Sequence, residues 1–416
     1  MKRPLTFISA LLLLSQVAFS QTYTIESSSA QPCGFVELDI TASGLPDSLG
    51  AISLYIDFNP QELQYLSAKN IYAGFGVNQV TPGRIGLVWS TMNGYGGEQI
   101  DGLLATIILH YNGGTAILDW NETLCETVEI TDLFNPVTCF YVNGAVTEGS
   151  YTYNTYYVDA ARPASGNGLS WATAFKTITE ATNVSLKPGE HVLIKPGTYN
   201  EKVIVKSNGG YSLLPLTGVT LSDTNKITFP SGTSFGCVDL ANYPDQYYAY
   251  VYRSWNSNNG YYKIIEVNDA QDFIRVEGTS FIPEAGSVNN KRKVMAAIGR
   301  PVIFKKDPTA SESQRVIVDA SGLGSIADAF YIGIPGSSPQ TAADPCNWNI
   351  IEDIDLTAGT NTTNAIKGLH IQNSAYNVFA DGKIYSYNGI GAIVSGRSNQ
   401  NAMYNIIQNN DIYNNQ

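Results

Sequence analysis

Charge is scarce in this chain. Only 14% of its 416 residues are Asp, Glu, Lys or Arg, and histidine occurs three times. The charge present leans acidic, 36 Asp plus Glu against 24 Lys plus Arg. That balance argues against binding to nucleic acid or to anionic lipid, and a polyanionic sugar could be held only by a local basic groove or a bridging cation. Missing too is any run of the roughly 20 apolar residues that a membrane-spanning helix needs. The stretch that comes nearest, Phe7 to Leu14, follows Met1-Lys2-Arg3 and precedes the small residues Ala18-Phe19-Ser20. That is the layout of a secretory signal peptide over residues 1–20, cleaved before Gln21, so export to the medium or the cell surface is expected, with no transmembrane segment.

Several kinds of chemistry leave no trace. The sequence has no nucleophile elbow, no Ser-His-Asp spacing, no phosphate loop and no zinc signature. Five cysteines, Cys33, Cys125, Cys139, Cys237 and Cys346, stand at no metal-ligand spacing. Export permits disulfides. Three of the five fall in the first third of the chain, and a Cys33–Cys125 pair is the favoured arrangement, although spacing alone cannot assign connectivity. His191, beside the Pro188-Gly189 turn, and His370, flanked by Leu369 and Ile371, belong to no constellation and read as structural.

What is abundant is β-forming and turn-forming sequence: 44% hydrophobic residues, 38 glycines and 26 tyrosines. The strongest pattern lies near the end. Asn349-Ile350-Ile351-Glu352-Asp353-Ile354-Asp355-Leu356 recurs as Asn377-Val378-Phe379-Ala380-Asp381-Gly382-Lys383-Ile384 and as Asn405-Ile406-Ile407-Gln408-Asn409-Asn410-Asp411-Ile412, at an interval of 28. A period in the twenties, with β-branched pairs and asparagines at the corners, is the mark of a stacked β-solenoid. Ile366 to Ile371 and Ile390 to Val394 supply further strands, with loops of varying length. Ile350, Val378 and Ile406 are then expected in one interior stack, and Asn349, Asn377 and Asn405 in an amide ladder. No segment after the third copy could cover an open end, which predicts that the chain is the front part of a longer protein.

Stacking the copies puts Asp353, Asp381 and Asn409 in one column and Asp355, Lys383 and Asp411 in another. Rungs lie about 4.8 Å apart, close enough for neighbouring carboxylates to raise a pKa or to share Ca²⁺. The same residues are what a solvated salt ladder contains.

From Tyr23 to about Thr147, short alternating strands such as Val36 to Ile40, Ala51 to Asp57 and Leu104 to Leu109 predict a β-sandwich over 21–147. A Gly-, Ser- and Tyr-containing linker, 148–155, leads to the solenoid, 156–416. Trp171, Ala174, Phe175, Ile178 and Ala181 follow helical spacing behind Ser170 and predict one amphipathic helix. Between about 209 and 300 the rung pattern breaks, and an inserted β-domain is expected there. Its Tyr250, Tyr252 and Trp255 could stack on sugar rings, or could equally fill a core.

Two family resemblances sharpen this. Leu49 to Tyr65, with its Asn59-Pro60-Gln61-Glu62-Leu63 turn, together with Gly83 to Trp89 and Asp101 to Ile107, is similar to the strands of cohesin modules. That implies a jelly roll and a dockerin-type protein partner, or a glycan, on one sheet face. Tyr156 to Val205, with Tyr157-Val158-Asp159, Trp171-Ala172-Thr173-Ala174-Phe175-Lys176-Thr177-Ile178 and Pro196-Gly197-Thr198-Tyr199-Asn200-Glu201, resembles the opening of secreted parallel β-helix proteins of the pectate-lyase-like superfamily. The resemblance implies a right-handed coil plugged by the helix, and either paired carboxylates for glycoside hydrolysis or Ca²⁺ with a basic residue for lyase chemistry on an acidic polysaccharide. Asp353, Asp381 and Lys383 are the catalytic candidates on that reading. The expectation is an all-β chain: an N-terminal jelly-roll sandwich, then a right-handed parallel β-helix with a capping helix and an inserted small β-domain. It is carbohydrate-active on one reading, and a non-catalytic adhesin or scaffold on the other.

Overall fold

A computed structural model of the chain describes residues 21–415 apart from 33, 92–98, 131–134, 150–151, 223, 234, 236–237, 279, 285–292, 324–327, 334–345, 359–366 and 397–401. The expected signal peptide and Cys33 therefore lie outside the described residues. Nearly every element is a strand, as the composition requires.

The first body is a sandwich of a five-stranded and an eight-stranded sheet. Alternation drives it. In Leu49–Phe58 the residues Ile52, Leu54 and Ile56 are buried, and in Gly34–Ser43 so are Val36, Leu38 and Ile40. These rows face each other across one apolar core that also takes in Trp89, Leu104, Leu109 and Trp120. Cys125 is a free thiol in this structure, donating to the Tyr55 carbonyl at 3.6 Å.

After Glu148 the chain changes pattern. Thr155–Val158 and His191–Ile194 pair in parallel, Tyr156 opposite Val192, and open three parallel sheets. From there successive strands visit the sheets in a fixed order. His191–Ile194, Gly197–Tyr199 and Val203–Val205 go to the first, second and third; Val302–Lys306, Val316–Asp319 and Asp328–Ile332 repeat the round. Asn349–Glu352, Ile354–Thr357 and Lys367–Gln372 follow, then Val378–Ala380, Lys383–Tyr385 and Ala392–Ser395, and finally Ile406–Gln408 and Asp411–Tyr413. One turn of chain per copy produces the 28-residue register: Ile350 opposite Val378 opposite Ile406, and Lys383 opposite Asp411.

The expected amide ladder is present. The Asn377 side-chain oxygen accepts from the Asn349 backbone N–H at 3.1 Å and from its side-chain amide at 2.9 Å, and Asn405 does the same for Asn377 at 2.9 and 3.2 Å. Asn349 and Asn377 are fully buried, so each unit satisfies polar groups that water cannot reach.

The expected interior stack is corrected. Ile350, Val378 and Ile406 do form one column, but they face away from the coil; Ile351, Phe379 and Ile407 occupy its interior. The reason is the inserted domain. Gly210 to Arg300 folds into a seven-stranded antiparallel sheet with its own core of Phe229, Phe235, Tyr247, Ile274 and Ile298. One face of it covers the first solenoid sheet through Tyr211, Tyr250, Tyr252, Met295 and Ala297. A sheet buried on both faces is apolar at consecutive positions, and period-2 alternation no longer tells inside from outside.

The single amphipathic helix is also corrected. Ser170 caps a 3-10 turn, Trp171–Thr173, and a separate short helix, Ile178–Thr182, starts behind a Thr177–Glu180 capping box. Between them Phe175 donates its N–H to the Tyr157 carbonyl at 2.9 Å, and Asp159 donates to Phe175 at 2.8 Å. Pairing with the first strand outcompetes helix at that point. Ile178 and Ala181 are nonetheless buried in the solenoid core.

Candidate functional site

Asp353 and Asp381 occupy the corners between the first and second solenoid sheets. Their φ values are both +58°, and Asn409, one copy on, has +55°. Asp and Asn tolerate the left-handed region better than other non-glycine residues because their short side chains bond locally, so this column is a bend requirement. Arg315 occupies the space beside it. Its guanidinium clamps Asp355 through Nε at 3.0 Å and Nη2 at 2.6 Å, reaches Asp353 at 3.3 Å and donates to the Asp381 carbonyl at 2.9 Å. Lys306 adds a cation 3.9 Å from Asp353. Lys383 lies on the second sheet, opposite Asp411. Among the described residues no group of three or more His, Cys, Asp or Glu is placed to hold a metal ion.

The tyrosine platform is corrected as well. Tyr250 is fully buried and Tyr252 nearly so, packed on Trp348 and Tyr404 with ring centroids at 4.8 and 5.1 Å. Trp255 stands apart, 61% exposed. Burial against the solenoid consumes the face that a sugar would have used.

A cavity of about 490 Å³ opens where the insert meets the first solenoid sheet, lined by His191, Asp245, Tyr248, Lys263, Lys305 and Glu352 among others. Burial drives the His191 imidazole down to about 4, with the Lys305 charge acting the same way. Burial raises the Glu352 carboxyl above its ordinary value, although the Tyr261 hydroxyl that donates to it and the Lys305 charge oppose the shift. A group whose pKa is raised by folding contributes its full stability below the unfolded value and loses it as pH climbs through the folded one. Glu352→Gln is therefore expected to match the wild-type melting temperature at about pH 4 and to exceed it at about pH 7, as thermal denaturation at the two pH values would show.

The third solenoid sheet carries the arrangement that the sequence did not disclose. His370 Nδ1 lies 2.8 Å from Asp328 Oδ1, and His370 Nε2 lies 2.8 Å from the Ser395 hydroxyl. Three successive strands supply the three groups, in register Tyr331 opposite His370 opposite Ile393. With Nδ1–H donated to the carboxylate, Nε2 is left to accept from the serine. Burial pushes the Asp328 carboxyl up, but the His370 hydrogen bond and the charges of His370, Lys367 and Lys202 pull it further down, to a net depression. The Tyr331 ring stands edge-on to the imidazole, centroids 5.1 Å apart, and its hydroxyl donates to Gln372 Oε1 at 2.5 Å. Gln372 is the register partner of Ser395. These residues are 42 and 25 positions apart in the chain, neither interval being the repeat, so only the register reveals the relay.

On the sandwich, the outer face of the strand Arg84–Ser90 presents another surface. Ile85, Leu87 and Trp89 point into the core, which leaves Gly86 and Val88 outward. Val80 lies over Gly86 beside Tyr55, and Val80 and Val88 are 54% and 47% exposed. An ion pair bounds one end, Arg84 to Asp57 at 2.5 and 2.8 Å, braced by Asn121 at 2.7 Å. The two exposed valines are flanked by the polar Asn78 and Ser53 on the neighbouring strands.

No family model matches the chain, and no curated protein does. Among solved structures, similarity is found to cohesins over about a third of the chain. A sixth cohesin of scaffoldin B from Acetivibrio cellulolyticus, in complex with a dockerin, is 18% identical, with a TM-score of 0.28 over 32% of this chain and 99% of that one. A seventh type I cohesin from Pseudobacteroides cellulosolvens gives 16%, 0.29, 32% and 94%. A non-cellulosomal cohesin from the archaeon Archaeoglobus fulgidus gives 16%, 0.27, 32% and 92%. Scores of this size decide neither a partner nor an activity.

Proposed function

We propose that the protein is an exported cell-surface scaffold, in which the sandwich docks a dockerin-type protein module and the solenoid is a rigid stalk. The observation that carries this reading is the Val80–Gly86–Val88 strip. Apolar side chains exposed on the outer face of a sheet whose inner face is already a complete core suit a second protein surface. The cohesin-like sequence between Leu49 and Ile107 supports the same partner class. The stalk would be a right-handed β-helix of the pectate-lyase-like kind, as the sequence from Tyr156 to Val205 suggests. No helix among the described residues is long and apolar enough to cross a membrane.

The test is calorimetric titration of the full chain with a panel of dockerin modules. One or more should bind, and Val88→Glu should weaken binding by about tenfold or more while leaving the melting temperature unchanged. Binding indifferent to Val88→Glu, or no binding across the panel, rejects the assignment. A second reading, a carbohydrate-active solenoid, would use the polar cavity of Lys263, Lys305, Asp245, Glu277 and Glu352, in which Lys263 is paired with Asp245 at 2.6 Å. Its readout is unsaturated-uronate absorbance with pectin, alginate or chondroitin, with and without Ca²⁺.

A further inference from the structure

We infer that the third solenoid sheet carries a serine-type esterase centre, with Ser395 as nucleophile, His370 as general base and acid, and Asp328 as the residue that positions the imidazole. Three observations converge on it. The two hydrogen bonds are both 2.8 Å and fall on opposite nitrogens of one ring, which is what proton transfer from serine requires. A buried histidine needs a partner on each ring nitrogen, and here the two partners are a carboxylate and a serine hydroxyl, the kinds that make the serine reactive. The environment is graded in the right direction. His370 and Asp328 are 6% and 7% exposed, whereas Ser395 is only half-buried, at the end of its strand.

The backbone around the nucleophile is fixed, since the Asn373 N–H donates to the Ser395 carbonyl at 3.0 Å. Beside the serine, the Tyr331 hydroxyl donates to the Gln372 side-chain oxygen, and Gln372 is the register partner of Ser395. Among the described residues, the insert packs on the first solenoid sheet and not on this one. With Ser395 half-buried, the substrate class is a small ester or an acyl group projecting from a polymer.

The reaction balances without a cofactor. Ser395 Oγ adds to the ester carbonyl as its proton passes to His370 Nε2. The carbon–oxygen bond to the alcohol breaks, and the leaving oxygen takes that proton. Water then adds to the acyl-serine, giving one proton to His370, and the carboxylic acid departs as Ser395 recovers its hydrogen. The sum is ester plus water to acid plus alcohol. Asp328 stays ionised throughout and opposes the charge of the imidazolium. This centre is independent of the docking reading, because it lies on the solenoid and is scored by chemistry, not by binding.

Two measurements on the full chain test it. p-Nitrophenyl acetate hydrolysis should exceed the rate of Ser395→Ala and of His370→Gln by roughly a hundredfold or more. A fluorophosphonate should add once, at Ser395 by peptide mass mapping, with fluoride leaving and the serine proton passing to His370, and the adduct should vanish in His370→Gln. Ser395→Ala alters a half-buried hydroxyl and should melt with the wild type; should it not fold, the mapped adduct on the unaltered chain decides alone. Equal hydrolysis by wild type and Ser395→Ala, or the absence of a Ser395 adduct, overturns the assignment.

Discussion

Trp348→Ala should lower the stability of the solenoid by about 3–5 kcal/mol, read as a shift in its thermal or urea transition. Trp348 is 1% exposed and sits where the coil meets the inserted sheet. Its ring stacks on Tyr376 at 4.2 Å with only 4° between planes, takes Tyr250 edge-on at 4.8 Å, and lies against the bare backbone of Gly299. Tyr376 in turn stacks on Tyr404 at 5.2 Å. All three ring-bearing residues have φ near +58°, spaced one copy apart. Each sits in a conformation that costs about 1–2 kcal/mol outside glycine, so the stacking must return at least that much. Truncating the first ring removes the stacking and leaves a cavity between two rigid sheets that cannot close over it. If the variant melts within about 1 kcal/mol of wild type, the insert contributes little to holding the first sheet, and the shared core is not the stabilising contact described here.

Arg315→Ala is expected to cost about 3–5 kcal/mol, for a different reason. The Asp355 carboxylate is 3% exposed and receives two guanidinium bonds; removing them leaves a buried charge without its partner. The Asp381 carbonyl also loses a donor. The double variant Arg315→Met with Asp355→Leu should recover most of the loss, because an apolar pair needs no counter-charge. A single variant that unfolds no earlier than wild type would show that water reaches Asp355 and would remove the buried ion pair from the account. Beside this pair, Arg315 and Lys306 also compensate Asp353, and Lys383 is in register with Asp411 on the neighbouring strand.

Reading the sequence went furthest where one local rule repeats. Asn349, Asn377 and Asn405 had to align because each begins an identical turn of chain, and the ladder forms with the bonds that asparagine side chains can make. The sandwich strands were legible because one face meets a core and the other meets solvent, which prints a period of two. Legibility failed where that contrast vanished. Ile350 and Ile351 are equally apolar, and only the arrival of Tyr250 and Met295 from the insert shows which points outward. Tyr250 and Tyr252 were ambiguous for the same reason, since a stacking platform and a core demand the same residues. In Trp171 to Ala181 a helical spacing was present, but strand pairing by Phe175 overrode it.

The Asp328, His370 and Ser395 relay belongs to a further category. None of the three carries a local signature, and the loops between their strands differ in length, so no fixed interval could announce them. Sequence by itself determined that the chain is nearly all β and that its last rungs repeat at an interval of 28, because backbone propensity and hydrogen-bonding capacity are local properties of each residue. Only the tertiary structure decided which face of the first sheet is covered and which side chains meet across rungs. Contact across a parallel ladder depends on register between distant strands, and register is fixed by the packing of whole sheets.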